Sequence, residues 1–164
     1  MTQTSSHDGT PTEVKIRLAT DVDLDELARL RWAMTDEMIG ATEPRAAFEA
    51  RFGAFAQRTL TGDTWAVWVA ERDARLLGMV WVQLVDRVPR PIEAAPAYAY
   101  ITSVFVESDE RNLGLGLGRR ILDAAVGWIR EQDVDSVILW PSERSGPFYE
   151  RAGFGPSNAV GLGR

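Results

Sequence analysis

Apolar and polar side chains alternate along Val14–Leu18, the two-residue period of a half-buried strand. The period then lengthens. Leu24, Leu27, Ala28, Arg31, Trp32, Met34 and Met38 recur at partial helical spacing. Asp21 or Asp23 can cap this helix, and Glu26 stands three residues after Asp23, the spacing of a capping box. Gly40 is its expected stop. A second helix is predicted over Pro44–Leu60, with Phe48, Phe52, Phe55 and Ala56 on one side. Thr64–Glu71 and Leu76–Asp86 are rich in valine and tryptophan and read as strands, joined by a tight turn at Arg72–Arg75. Val88–Pro96 is broken by prolines and reads as a loop. Tyr98–Glu107 is a third long strand. Gly114–Glu131 is predicted as a helix whose apolar face carries Leu117, Ile121, Leu122, Ala125, Trp128 and Ile129. Ser136–Trp140 is a buried strand, Gly146–Ala152 a short helix, and Asn158–Leu162 a final short strand.

This order predicts an α/β (α+β) domain with a mixed, mainly antiparallel central sheet, flanking helices and one crossover helix. No internal repeat or linker divides it. Residues 13–164 are expected to form a single domain, preceded by a disordered polar tail over residues 1–12.

Composition narrows the chemistry. The 164-residue sequence has no cysteine and a single histidine, His7, within the polar tail. Disulfides, a thiol nucleophile, a histidine triad and a multi-histidine metal site are therefore excluded as readings, and no metal is expected. A cysteine-free chain suits a reducing, cytoplasmic setting. The net charge of −6 argues against nucleic acid as a partner and points to a cationic or amine-bearing substrate. No stretch has the apolar length of a membrane span, so no membrane partner is expected.

The most informative segment runs from Val104 to Gly118. A strand ends, an acidic turn follows, and Gly114, Gly116 and Gly118 open a helix behind Arg111. Helix N-termini carry unpaired amides and partial positive charge, and glycines let a phosphate approach them. Arginine adds a cationic fork. The bland alternative is a helix start packed tightly on a strand. Two phosphate patterns fit poorly. The P-loop spacing is absent, and a dinucleotide GxGxxG turn would need glycine where Arg119 stands.

The run Arg111-x-x-Gly114-x-Gly116 resembles the (Gln/Arg)-x-x-Gly-x-(Gly/Ala) motif of the GCN5-related N-acetyltransferase (GNAT) family. Phe148-Tyr149-Glu150-Arg151-Ala152-Gly153-Phe154 is similar to that family's aromatic segment after the fifth strand. The resemblance spans about Val14 to Pro156. It implies a three-layer α/β/α fold and acetyl-CoA as acyl donor, with an amine acceptor. The diphosphate would lie at Arg111, Asn112, Leu113, Gly114, Leu115, Gly116 and Leu117. The pantetheine arm would pair with the backbone of Val104, Phe105 and Val106, where the fourth strand splays from the fifth. Ser142 stands where many members carry an asparagine that touches the cofactor arm, and Asn112 where basic residues are common.

The resemblance also assigns Tyr149 as general acid toward the departing thiolate. An aromatic packed under the sheet is the competing reading. An amide near Val106 is the expected oxyanion donor. Asp36, Glu37 and Glu107 are candidate bases, because Tyr100 occupies the position where some members carry a glutamate. Trp32, Asp36, Tyr100 and Trp140 are candidate acceptor contacts, with Trp81 and Gln83 as further possible walls. With no cysteine, an acyl-cysteine intermediate is impossible, which implies direct attack in a ternary complex. A homodimer is an expected assembly. The alternatives are an acyl-CoA-binding sensor without catalysis, a NAD-dependent oxidoreductase, and transfer to a protein N-terminus or aminoacyl-tRNA.

Overall fold

The structure is a computed structural model that describes residues 13–157. The tail over residues 1–12 and the final strand expected at Asn158–Leu162 lie outside the described residues. Five strands, β1 (Lys15–Leu18), β2 (Trp65–Arg72), β3 (Arg75–Asp86), β4 (Ala97–Val106) and β5 (Val134–Ile138), form one sheet in the order of the chain. The first four pair antiparallel, and β4 pairs parallel with β5. α1 (Leu24–Ile39) and α2 (Arg45–Thr61) join β1 to β2. The β4–β5 connection carries α3 (Ser108–Arg111) and α4 (Leu117–Ile129), and α5 (Gly146–Arg151) follows β5. This is the mixed sheet with flanking helices that the residue pattern predicts.

Alternation along the strands divides the core in two. Val80, Val82, Ala99 and Ile101 face α4, which inserts Leu117, Ile121, Leu122, Ala125 and Ile129. Val67, Val69, Met79, Trp81 and Phe105 face α1 and α2, which supply Leu27, Leu30, Phe52 and Ala56. Burial on both faces of the central strands drives assembly of the three layers.

Four local expectations shift. The first helix is preceded by a single 3-10 turn at Asp21–Asp23. Its capping box joins Thr20 to Asp23, whose carboxylate accepts the Thr20 amide at 2.8 Å. Glu26 is drawn away from any cap: it accepts the Leu76 amide at 3.0 Å and pairs with Arg29 at 2.8 Å. The glycine run is not the first turn of α4. Gly114 (φ 70°) and Gly116 (φ 58°) are left-handed, so the helix begins only at Leu117. The last strand ends at Ile138, which leaves Trp140 69% exposed beyond it. The turn between β2 and β3 takes positive φ at both Asp73 and Ala74, the twist a two-residue hairpin requires.

Two constraints fix the head of β4. Gly78 on β3 faces Val106, and a Cβ there would lie 2.7 Å from the Phe105 carbonyl oxygen and 3.0 Å from Ile121 Cδ1. Glu107 is almost fully buried and bonds to Arg29 and, at 2.9 Å, to Arg75. Arg29 also donates to the Leu76 carbonyl at 2.7 Å, so one ionic cluster joins α1, β3 and the end of β4.

Two outcomes test this frame. Gly78→Ala is expected to lower the unfolding free energy by about 1–3 kcal/mol, read from urea denaturation, because neither neighbour is a free side-chain end. Glu26→Gln is expected to cost on the order of 1–3 kcal/mol near neutral pH. The Arg29 guanidinium holds the Glu26 carboxyl below its ordinary value of 4.5. Its contribution is therefore complete above that pH and is lost as pH falls through the depressed folded value. The difference between E26Q and the parent chain should narrow in acid.

Candidate functional site

The site follows from where β5 stops pairing. β4 and β5 are matched from Ala97–Val134 to Tyr100–Ile138, and no pairing continues beyond. Ile101–Val106 runs on with β3 on one edge only. A bulge accompanies the divergence. The register jumps between Met79–Phe105 and Trp81–Thr102, with Ser103 at φ 50°. Beyond it, Glu107 donates its amide to Leu77 on β3 at 2.9 Å. Strand alternation then turns the Val106 peptide groups away from β3, toward the gap. The Val106 carbonyl does accept a bond there, from Arg111 Nε at 2.7 Å.

A cavity of about 910 Å³ occupies this gap. Val104, Phe105 and Val106 form its strand wall, Gly116, Leu117 and Gly118 its helical end, and Phe148 and Tyr149 its far side. The first amides of α4 have no intrahelical acceptor, and no side chain caps them. Gly118 keeps that end low: a Cβ would already touch Val106 and Phe148 at 3.6–3.7 Å. Arg111, Arg119, Arg144 and Arg151 also line the cavity, whereas its one lining carboxylate, Glu110, is paired with Arg72. The described chemistry fits a polyphosphate tail: open amides, small residues and an excess of guanidinium charge.

Tyr149 is half-buried in this wall. Its ring packs on Phe148 at 5.0 Å and on Phe154 at 6.0 Å. Gly153 makes the second contact possible: its positive φ reverses the chain, so the Phe154 amide donates back to the Tyr149 carbonyl at 3.0 Å. Burial pushes the Tyr149 phenol above its ordinary value of 10.0. Its hydroxyl makes no hydrogen bond among the described residues.

The other sequence-derived site residues fall into two groups. Val104, Phe105, Val106, Arg111, Gly116, Leu117 and Tyr149 come together around this cavity. Asn112, Leu113, Gly114 and Leu115 form the turn outside its lining, with Leu113 and Leu115 exposed. Ser142 also stays outside. Its hydroxyl bonds to Ser145 at 3.0 Å, and its carbonyl accepts the Ser145 amide at 3.0 Å. Arg111 is not free: it grips Glu37 through two bonds of 2.5 and 2.8 Å and lies over Phe105.

The candidate bases are likewise engaged. The Arg111 guanidinium holds the Glu37 carboxyl below its ordinary range. Glu107 lies beneath two arginines, and Asp36 accepts the Ala41 amide at 3.1 Å at the end of α1. Gly118, Arg119, Arg144, Ser145, Phe148 and Arg151 are wall residues absent from the sequence-derived set. The third glycine and the arginine beside it were the available signal.

A second cavity, of about 740 Å³, opens on the other face of β4 between α1 and α2. Trp32 lines it, as do Trp81, Thr102 and Ser103, whereas Asp36, Tyr100 and Trp140 do not. Tyr100 and Trp140 instead meet edge to face, with ring centroids 4.7 Å apart, where the strands part. Ser103 lines one cavity and Val104 the other, so the bulge is the wall between them. Among the described residues there is no cluster of acids or histidines that could hold a metal, and no helix long and apolar enough to cross a membrane.

The fold has many solved counterparts. A GCN5-related N-acetyltransferase from Ralstonia eutropha is 22% identical, with 93% of this chain and 99% of that one covered and a TM-score of 0.77. A predicted acetyltransferase from Clostridium acetobutylicum, solved with acetyl-CoA, is 22% identical over 92% and 96% of the two chains, with a TM-score of 0.76. Glucosamine-6-phosphate N-acetyltransferase from Arabidopsis thaliana is 19% identical over 93% and 97%, with a TM-score of 0.68. No curated protein matches the chain. The sequence itself matches the Acetyltransferase (GNAT) family over residues 24–154, most of the described domain, and the chain therefore belongs to the GNAT acetyltransferases.

Proposed function

We propose that the chain transfers an acetyl group from acetyl-CoA to a primary amine of a small molecule or peptide by direct attack. The observation that carries this reading is the end of β4–β5 pairing at Tyr100–Ile138, which opens a gap with bare helix amides at one end and Tyr149 at its side. The fold neighbour solved with acetyl-CoA supports the same donor.

In this reading the amides of Leu117, Gly118 and Arg119 and the guanidinium groups of Arg144 and Arg151 hold the diphosphate. Arg111 positions the strand rather than the phosphate, because its fork is spent on Glu37 and its Nε on the Val106 carbonyl. The pantetheine arm pairs with the backbone edge left open at Val104, and the Val106 amide faces the thioester oxygen. The amine nitrogen attacks the thioester carbon, a C–N bond forms and the C–S bond breaks. Tyr149 gives its phenolic proton to the leaving sulfur, the new ammonium loses a proton to solvent, and the phenolate takes one back from solvent. A phenol kept protonated by burial suits that role.

The engaged carboxylates favour a second reading, an acyl-CoA-binding sensor that performs no transfer. The two readings part on steady-state release of the CoA thiol with a panel of amines, which only the transferase supports. Acetyl-CoA binding itself is read by calorimetry, and an absence of heat would overturn both.

Two predictions follow from the transfer mechanism. Tyr149→Phe should lower kcat by on the order of 10²-fold with acetyl-CoA affinity nearly unchanged. An equal kcat would remove the phenol from the chemistry. With no side-chain base, only the neutral fraction of the acceptor reacts. The rate at subsaturating acceptor should climb tenfold per pH unit and level off at the acceptor's own pKa. A plateau well below that value would reveal an enzymic base.

A further inference from the structure

Arg31 stands apart from the other arginines of its kind. Arg17, Arg29, Arg72 and Arg87 are half-buried, and each holds a carboxylate. Arg31 is half-buried too, yet among the described residues the only hydrogen-bond partners of its guanidinium are the Met34 thioether, at 3.2 Å, and the Ser103 hydroxyl, at 3.3 Å, with the neutral phenol Tyr100 also nearby. Both bonds use Nη1, so Nε and Nη2 are unspent. A guanidinium withdrawn from water and left without an anion is costly. Burial accordingly pulls its pKa below the ordinary arginine value.

The surroundings of Arg31 define a complementary ligand. It lines the cavity between α1 and α2, on the face of β4 opposite the proposed donor gap. Trp32, Phe48, Phe52, Trp81, Phe55 and Trp65 form a continuous aromatic wall there, with ring centroids 5.4–5.9 Å apart along the chain of contacts. The lining also holds Arg51, Arg58 and Glu43. Glu43 is neutralised by Arg51 at 2.6 Å, while Arg58 bonds only to a backbone carbonyl. The cavity is therefore apolar with a cationic excess, opposite in sign to the chain as a whole. A polycationic or heavily hydroxylated amine would lose hydration there without finding partners.

Building on the proposed transfer, we propose that the acceptor is an aromatic α-amino acid, its carboxylate bound by Arg31 and Ser103 and its ring held against the Trp32–Phe48–Trp81 wall. Ser103 immediately precedes Val104, the first strand residue of the donor gap. An amine on the carbon next to the bound carboxylate is thus delivered to the point where the two cavities adjoin. The carboxylate does two things: it neutralises Arg31 and sets the register of the amine.

Calorimetric titration of the protein with the corresponding products tests this without turnover. The probes are N-acetyl-L-tryptophan, its carboxamide, N-acetyltryptamine and N-acetyl-L-alanine. N-acetyl-L-tryptophan is expected to bind on the order of tenfold or more tighter than its carboxamide or N-acetyltryptamine. Arg31→Gln should erase that preference, and Arg31→Lys should retain part of it. N-acetyl-L-alanine should bind far more weakly than N-acetyl-L-tryptophan. Equal binding of the acid and its carboxamide, or a preference unchanged in R31Q, would overturn the assignment. Displacement of N-acetyl-L-tryptophan by inorganic phosphate at equal concentration would overturn it in favour of a phosphate site. Acetyl-CoA titrated into the same variants serves as the folding control. Failure of that titration in the parent chain counts against the donor reading, and the carboxylate preference is judged separately.

Discussion

Every backbone amide and carbonyl inside a sheet needs a partner on one edge or the other, and β4 meets that demand unevenly. Up to Tyr100 it is bonded on both sides, by β3 and β5. Beyond Tyr100 only β3 continues. The edge so exposed is lined by the fold's own walls rather than by a further strand, so its polar groups must be met by a side chain, by water or by a ligand. Arg111 meets one of them, at Val106. The remainder is an invitation to an extended chain with its own amides and carbonyls. In the proposed transfer, donor arm, oxyanion donor and acceptor access all depend on that interruption of pairing.

An interrupted sheet needs a frame to hold the gap open, and the ionic cluster at Glu107 supplies one. Glu107 sits one residue past the end of β4 and bonds to arginines from α1 and β3. Buried ion pairs are poor evidence of net stability, because desolvation offsets most of the attraction. They do specify geometry, since each partner is costly to strand alone. Together with Gly78, which lets β3 approach the Phe105 carbonyl, the cluster fixes where β4 ends. The acid that sequence position offered as a base is thus a structural member of that frame.

Much of this was legible in the residues because it is local. Strand alternation and the apolar face of α4 are near-neighbour effects, whereas the glycines at 114 and 116 marked the turn but not its left-handed backbone, which delays the helix to Leu117. The bulge was not legible. It falls on Ser103, a residue type with no strong preference for positive φ, and it exists because β3 and β4 must accommodate one extra residue. The fate of the charges was hidden for a similar reason. Arg111 meets Glu37, and Arg29 meets Glu107, only after distant elements pack. Gly78 inside a valine-rich strand was a missed signal, since glycine there marks a close backbone approach.

Whole-chain charge and pocket charge differ for a physical reason. The net charge of −6 points to a cationic or amine-bearing substrate, yet both cavities carry more guanidinium than free carboxylate. The acids that reach the interior are consumed: Asp23 by Arg17, Glu26 and Glu107 by Arg29, and Glu110 by Arg72, while the exposed Glu37 is taken up by Arg111. Net charge is set largely by side chains in water, where screening leaves them little influence on a pocket more than about 10 Å away. A pocket's sign is set by which charges remain unpaired after folding. By that criterion Arg31 on one face of the bulge, and Arg144 and Arg151 on the other, define the site, and each calls for an anion. In the proposed transfer the donor supplies one in its diphosphate, and the acceptor's carboxylate supplies the other.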